Sequence, residues 1–521
     1  MTAANILPAG APTASLDWKS IDWKKALTEV RRLQMRISKA FREKKWGKVK
    51  ALQYLLTHSF HAKLLAIKRV VSNQGGKTPG IDGIVWKSSA EKMNAVNSLK
   101  RRGYKTLPLR RIYIPKKQKG KLRPLSIPSM ACRAQQGLHL LSLEPISEML
   151  ADKNAYGFRP LRSTADAIEQ CFNVLARKTS AEWVLEGDIK ACFDSISKEW
   201  LCENIPMDKK MLRKWLDAGY IEKGEFHPTE VGTPQGSLIS PALLVITLSG
   251  LEAVVKKAAP SRKDKINLVS YADDFIVTGA AKEILENKVK PAIEAFLKER
   301  GLTLSQEKTK LTHINEGFDF LGINIRKYKG KMIMKPAKSN VKRFLANIRE
   351  NIKKMATVKT EVLIRCLNPK IRGWANYFRH VCSKRTFSYV DHQIFQALWR
   401  WSKRRHPQKG SQWIYKKYFR SDQMRNWVFY DKVKAKEKGA PSTNLDLIKA
   451  SKTPIKRHIK LRAEATPYDP AYHEYLDDRL AKRNAGNNPF KRPSWWLRWW
   501  KLLSPRKKGP KVTGSLEVVA L

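Results

Sequence analysis

The chain of 521 residues carries 102 Lys and Arg against 46 Asp and Glu, a formal net charge of +56. With 42% hydrophobic and 9% aromatic residues and only 27 Gly and 26 Pro, the composition excludes a disordered basic tail and supports packed cores. Six scattered cysteines without a Cys-x-x-Cys pair, and no run of about 20 apolar residues, exclude a cysteine-rich zinc module and a membrane-spanning chain. The charge is uneven: residues 1–150 carry +22, residues 151–300 none and residues 301–521 +34. A polyanion that neutralises two basic flanks is the partner this distribution asks for, and nucleic acid is the obvious one. The opening MTAANILPAGAPTASLDWKS has no basic segment followed by an apolar core, so secretion is not expected.

In chain order, residues 24–71 predict basic helices, with Leu33, Ile37, Ala40 and Phe41 and then Leu52, Leu55 and Leu56 at helical spacing. NQGGKTPGIDG, residues 73–83, is punctuated as a loop. RRIYIP and LRPLSIP, joined by the polar KKQKGK, predict a β-hairpin with a Lys-rich tip. Between about 135 and 325, helical stretches alternate with short apolar strands such as EWVLEGDI, NLVSYADDFIVTG and FDFLGINI, which predicts an α+β layered arrangement. GTPQGSLISP, residues 232–241, opens a long apolar helix spanning Leu238 to Leu251. After Lys335 the pattern predicts basic helices without strands through Phe419, and the last hundred residues read as irregular and Lys-rich.

Four pieces carry chemistry. Asp273 and Asp274 fall at the tip of a hairpin; such a pair is ordinarily a solvated turn, but it is also what a hard divalent cation requires. Asp188 ends the apolar run WVLEG, either as a helix cap or as a third carboxylate if the two strands are neighbours; Asp194 follows six residues on. Gln235 lies in a Gly-rich turn at a helix entrance, where backbone donors are exposed. Lys116 or Lys117 with Arg123 can converge on a triphosphate, or simply form a solvated charge run.

The ordered series IYIPKKQKGKLRPLSIP, YGFRPLRSTADAI, GDIKACFDSI, GTPQGSLISP, YADD, LTLSQEKTKL and FDFLG resembles the successive blocks of a reverse transcriptase. With NQGGKTPGIDG upstream and IRGWANYFRH, residues 371–380, downstream, it is similar to the group II intron-encoded reverse transcriptase and maturase family over residues 25–420. That resemblance implies a right-hand polymerase, with fingers and palm of antiparallel sheet plus helices, followed by an all-α thumb. It implies Asp188, Asp273 and Asp274 as catalytic ligands of two Mg²⁺ ions, with Mn²⁺ as a substitute. It places Lys116, Lys117, Arg123, Phe193, Gln235 and Lys308 around the incoming dNTP, with Phe193 as the gate against a ribose 2′-hydroxyl.

The resemblance further implies a basic helical extension over 1–70, fingers and palm over 71–330, a thumb over 331–425 and a basic nucleic-acid-binding tail over 426–521. Arg372, Trp374, Tyr377 and Arg379 are the thumb residues set against intron RNA, although such aromatics are more often helix anchors. Longer relatives carry a Cys- and His-liganded endonuclease; the last cysteine here is Cys382, so no such site is expected after it, and His458 and His473 are isolated. The implied partners are intron RNA, template RNA with a DNA primer or target, and dNTPs, with a homodimer allowed, no membrane, and a bacterial-type cytoplasmic location on the nucleoid when DNA is bound. Reverse transcription with splicing assistance and retrohoming is the implied activity. Splicing without polymerisation, or a reverse transcriptase of another mobile element or of host defence, are the alternatives. Trp495, Trp496, Trp499 and Trp500 would share one face of a C-terminal helix.

Overall fold

The computed structural model describes residues 17–115, 122–422, 425–433 and 442–484. Three helices, α1 (Trp23–Arg42), α2 (Trp46–His58) and α3 (Phe60–Ser72), open it, and α1 starts where the Asp22 carboxylate accepts from the amides of Lys24 and Lys25. Their apolar stripes, including Val30, Ile37, Leu52 and Leu65, close on Leu138, Leu141 and Ile146 of the central helix α5 (Met130–Leu150), after the short α4 (Ser89–Ser98).

Strands β1 (Leu109–Pro115) and β2 (Leu122–Ile127) form the expected antiparallel hairpin, in register from Arg110↔Ile127 to Pro115↔Leu122. With β4 (Tyr220–Glu222) and β5 (Glu225–His227) they make a sheet of order β2-β1-β4-β5, in which β4 runs parallel to β1. Lys116 and Lys117 lie outside the described residues.

The central sheet has the order β6-β7-β3-β8, all antiparallel: β3 (Trp183–Asp188), β6 (Asn267–Tyr271), β7 (Asp274–Gly279) and β8 (Lys310–His313). Because side chains alternate across a strand, Val184, Val269 and Ile276 pack on one face with helix α6 (Thr164–Leu175). Leu185, Leu268, Phe275 and Val277 pack on the other, against the helices of residues 198–297. The apolar helix expected from Leu238 to Leu251 is two helices, Ser240–Thr247 and Leu251–Ala258, because Gly250 turns the chain at φ +94°.

A three-stranded sheet, β9 (Phe318–Phe320), β10 (Ile323–Tyr328) and β11 (Lys331–Pro336), leads to the helices Lys338–Lys354, Thr360–Phe378 and Lys384–Arg405. Their buried stripes, with Ile348, Leu367, Phe387 and Leu398, join the core beneath α6. Strands return after them: β12 (Phe419–Asp422), β13 (Arg425–Val433) and β14 (Thr443–Asp446) pair antiparallel where irregular chain was expected. Bidentate Arg420 to Asp446, at 3.0 and 2.7 Å, ties the first strand to the last.

Residues 456–480 then cross back over the molecule as a strap. The amide of Lys456 donates to the Arg379 carbonyl at 2.8 Å, Arg162 donates to the carbonyls of Ala463 and Ala465, and Arg42 of α1 pairs with Asp469 at 2.7 Å. The Trp495, Trp496, Trp499 and Trp500 cluster lies outside the described residues. No described helix is long and apolar enough to cross a membrane.

Candidate active site

The register of the central sheet brings the three aspartates together. Asp188 is the last residue of β3 and stands directly opposite Asp274, the first of β7. Asp273 sits in the two-residue turn between the paired Tyr271 and Asp274. That turn is strained: Ala272 adopts φ +58°, a conformation that costs an L-residue energy and is retained where the surroundings enforce it. The enforcing contact is visible. The amide of Tyr156 donates to the Ser270 carbonyl at 2.9 Å, and Gly157 lies so close that a Cβ there would collide with the Ala272 backbone. A second left-handed residue, Ala191 at φ +46°, turns the chain just after Asp188 into the short helix Cys192–Ser195.

The electrostatics fit a cation site. Burial first, then the charges of Asp273 and Asp188, push the Asp274 carboxyl up to about 7, and burial also raises Asp273. Three hard oxygen donors that destabilise one another are relieved by a divalent ion. Among the described residues no three His, Cys, Asp or Glu side chains stand in ready ligand geometry. The protein's own partial remedy is Lys308, whose ammonium donates to Asp188 Oδ2 at 2.7 Å and is itself pushed up by that bond. The residues before Lys308 are laid along β3, with the Ser305 amide donating to the Asp188 carbonyl at 2.8 Å.

The remaining predicted residues fall in different places. Arg123 is exposed on β2, and its charge acts on Asp273. Phe193 is half-buried beside the cluster and meets Phe158 edge-on, with centroids 6.1 Å apart. Gln235 donates to Asp194 Oδ2 at 2.6 Å, which gives Asp194 an acceptor role. Its loop is fixed from both sides: the Ser126 amide donates to the Gln235 carbonyl, and Gly232 takes φ +86° against the Asp194 backbone. Arg159 is not at the site; it is buried in a fork on Glu148 at 2.8 and 3.3 Å.

Of the thumb set, Arg372 is exposed. Trp374 stacks on Phe344 at 4.6 Å and donates to Asn340, while the Tyr377 hydroxyl donates to the Leu321 carbonyl at 2.8 Å, so both rings are engaged in helix packing. Arg379 is half-buried, with its Nε lacking a partner among the described residues. Gly157 of the YGFRP block joins the site through its close approach to the Ala272 backbone, a role no local sequence pattern signals.

Three family models match the chain in succession: an N-terminal domain of reverse transcriptase over residues 18–99, a reverse transcriptase (RNA-dependent DNA polymerase) over 114–325, and a group II intron, maturase-specific domain over 341–419. Protein YkfC of Escherichia coli is 33% identical, over 49% of this chain and 78% of its own length. The group II intron-encoded protein LtrA of Lactococcus lactis is 29% identical, over 63% of this chain and 69% of its own. A telomerase structure from Candida albicans overlaps 60% of this chain, which spans 64% of that one, at 12% identity and a TM-score of 0.35, a likeness too loose to bear on function. With the polymerase model lying over the aspartate sheet and the maturase model over the helices that follow it, the chain belongs to the group II intron-encoded reverse transcriptase and maturase family.

Proposed function

We propose that this RNA-directed DNA polymerase copies intron RNA into cDNA for retrohoming by two-metal phosphoryl transfer at Asp188, Asp273 and Asp274, and assists splicing of the same RNA. The convergence of the three carboxylates at one end of the sheet, with Asp188 and Asp274 in register, carries the reading. Two Mg²⁺ ions, or Mn²⁺ in their place, would be held by these carboxylates and would activate the primer 3′-hydroxyl and neutralise charge on the leaving pyrophosphate.

The other residues act by position. Arg123 and the lysines at the hairpin tip hold the triphosphate, Arg through its fork. Lys308, already on Asp188, stays near the transferring phosphates as a fixed positive charge. The Phe193 ring excludes a 2′-hydroxyl by bulk, with Phe158 behind it. Gln235 and Asp194 brace the loop beneath the nucleotide. Fingers and palm occupy 71–330 and the thumb 331–425; the exposed Arg372 meets RNA phosphate, and Trp374 and Tyr377 hold the helices that present it.

Primer extension on an RNA template tests this. Wild-type protein incorporates dNTPs with Mg²⁺; the Asp273→Ala, Asp274→Ala double variant binds the RNA and does not extend. Equal incorporation by both proteins sinks the assignment. Splicing that survives the double change while cDNA synthesis is lost separates the two activities within one chain.

A further inference from the structure

A cavity of about 260 Å³ opens behind the Asp194–Gln235 pair, and its Arg111, Tyr220 and Thr233 walls have no part in the chemistry above. Its floor is one face of the β1–β2 sheet: Leu109 and Arg111 alternate on β1, Ser126 is in register with Arg111, and Tyr220 of β4 is in register with Leu109. Its roof is the loop from Pro228 to Gln235. A single water needs only roughly 10–15 Å³ of such space, so the cavity is sized for an organic group.

Two of its polar atoms are buried without a hydrogen-bond partner among the described residues, the Thr233 hydroxyl and Arg111 Nε. Thr233 is 2% exposed, and its amide is fixed on the Phe193 carbonyl, so the hydroxyl cannot simply swing to solvent. A buried donor or acceptor left alone costs about 1–3 kcal/mol, a cost a ligand would remove. Arg111 lies over the Tyr220 ring at 3.7 Å, and Tyr220 in turn stacks on His227.

We propose that this cavity seats an unpaired nucleobase of the template strand, stacked at Arg111 and hydrogen-bonded by Thr233. The lining selects a base over a phosphate: Glu230 and Asp194 offset the single guanidinium and repel an anion, while Leu109, Val231 and the prolines at 228 and 234 suit a planar face. Guanidinium planes and hydroxyls are the groups that hold splayed bases by stacking and by their edges. The base is not that of the incoming nucleotide. Arg123, which acts on Asp273, lies three residues from Ser126 along β2 and therefore on the opposite face of the sheet from the cavity.

The proposal rests on the polymerase reading and makes Thr233 and Arg111 positioning residues. It is tested by primer extension with full-length protein on two templates, one ending at the templating nucleotide and one with several unpaired nucleotides beyond it. For Thr233→Val the ratio of kcat/KM on the long overhang to that on the short one falls about fivefold, the loss of one hydrogen bond. Thr233→Ser restores the ratio, and Arg111→Gln lowers it about tenfold through lost stacking and charge. An unchanged ratio in a folded Thr233→Val protein overturns the proposal. So does a rise confined to KM for dNTP, which would assign the cavity to the incoming nucleotide. Absence of incorporation by the wild type on both templates would instead reject the polymerase reading.

Discussion

Two groups of carboxylates sit about the same palm and are treated in opposite ways, one half-buried to exposed at the sheet end and one, Asp166, fully buried. At the end of the sheet where β3 meets β7, burial and the charges of Asp273 and Asp188 push Asp274 up to about 7 against the Lys308 ammonium. In the first turn of α6, burial raises Asp166 too, yet it is held down at about 2 by His458, the Leu461 amide and the Ser163 hydroxyl. One Asp166 oxygen closes the capping box of α6, and the other receives the strap at 2.8–2.9 Å. Composition cannot separate these two uses of aspartate. The difference lies in whether the protein supplies the partners or leaves the charge for something else to neutralise.

The largest test of that contrast removes the unsupported charges. Asp273→Asn with Asp274→Asn should reduce dNTP incorporation by at least about a thousandfold, since metal-assisted charge stabilisation is worth several kcal/mol and each 1.36 kcal/mol is tenfold. Folding should not suffer, because a repulsive cluster has been relaxed. Added Mg²⁺ should raise the thermal midpoint of the wild type and leave that of the double variant unmoved. A collapse of the variant's midpoint would show that these aspartates hold the fold together as Asp166 does.

The complementary change is Asp166→Asn. Asp166 is 1% exposed, and breaking a buried, fully partnered charge costs about 3 kcal/mol, so chemical denaturation should show that loss while incorporation at low temperature persists. The strap should loosen with it, and limited proteolysis between residues 456 and 480 reads that directly. If stability is unchanged, the strap is held elsewhere, by Tyr468 on Glu144 at 2.5 Å or by Arg162 on the Ala463 and Ala465 carbonyls.

These two clusters also differ in how much of them the sequence discloses. The convergence of Asp188, Asp273 and Asp274 is legible because local patterns determine it. A period-two apolar run ending in Asp188 and another flanking Asp273 and Asp274 name the strands, and the family blocks supply their order. Asp166 reads only as a helix-start residue, since its partners His458 and Leu461 lie almost 300 positions away. The same limit hid β13 and β14, whose pairing with β12 depends on tertiary partners rather than on a strong alternating pattern. The helix expected across Leu238–Leu251 failed at Gly250, where positive φ outweighed continuous apolarity. For Trp374, the preference for a packing role over base stacking is what the Phe344 stack displays.

Acid distinguishes a partnered buried charge from an unpartnered buried base, with a smaller effect. Asp166, depressed to about 2, stabilises the fold above the ordinary carboxylate range near 3.9 and loses that contribution only as pH falls through 2. The strap's anchor therefore survives mild acid. His139, within α5 and edge-on to Trp215, is different: burial, opposed by Asp208 and reinforced by Arg101 and His58, holds it at about 4. Its folded pKa lies below the unfolded value near 6.5, so the unfolded chain binds the extra proton between those limits and stability falls as pH drops through that window. From pH 7 to pH 5 the expected loss is about 2 kcal/mol from this residue. His139→Gln should flatten the urea-unfolding profile over that range while leaving the slope below pH 4 in place. An unflattened profile would move the acid sensitivity to His380, which burial also holds at about 4 and whose Nε2 has no partner among the described residues.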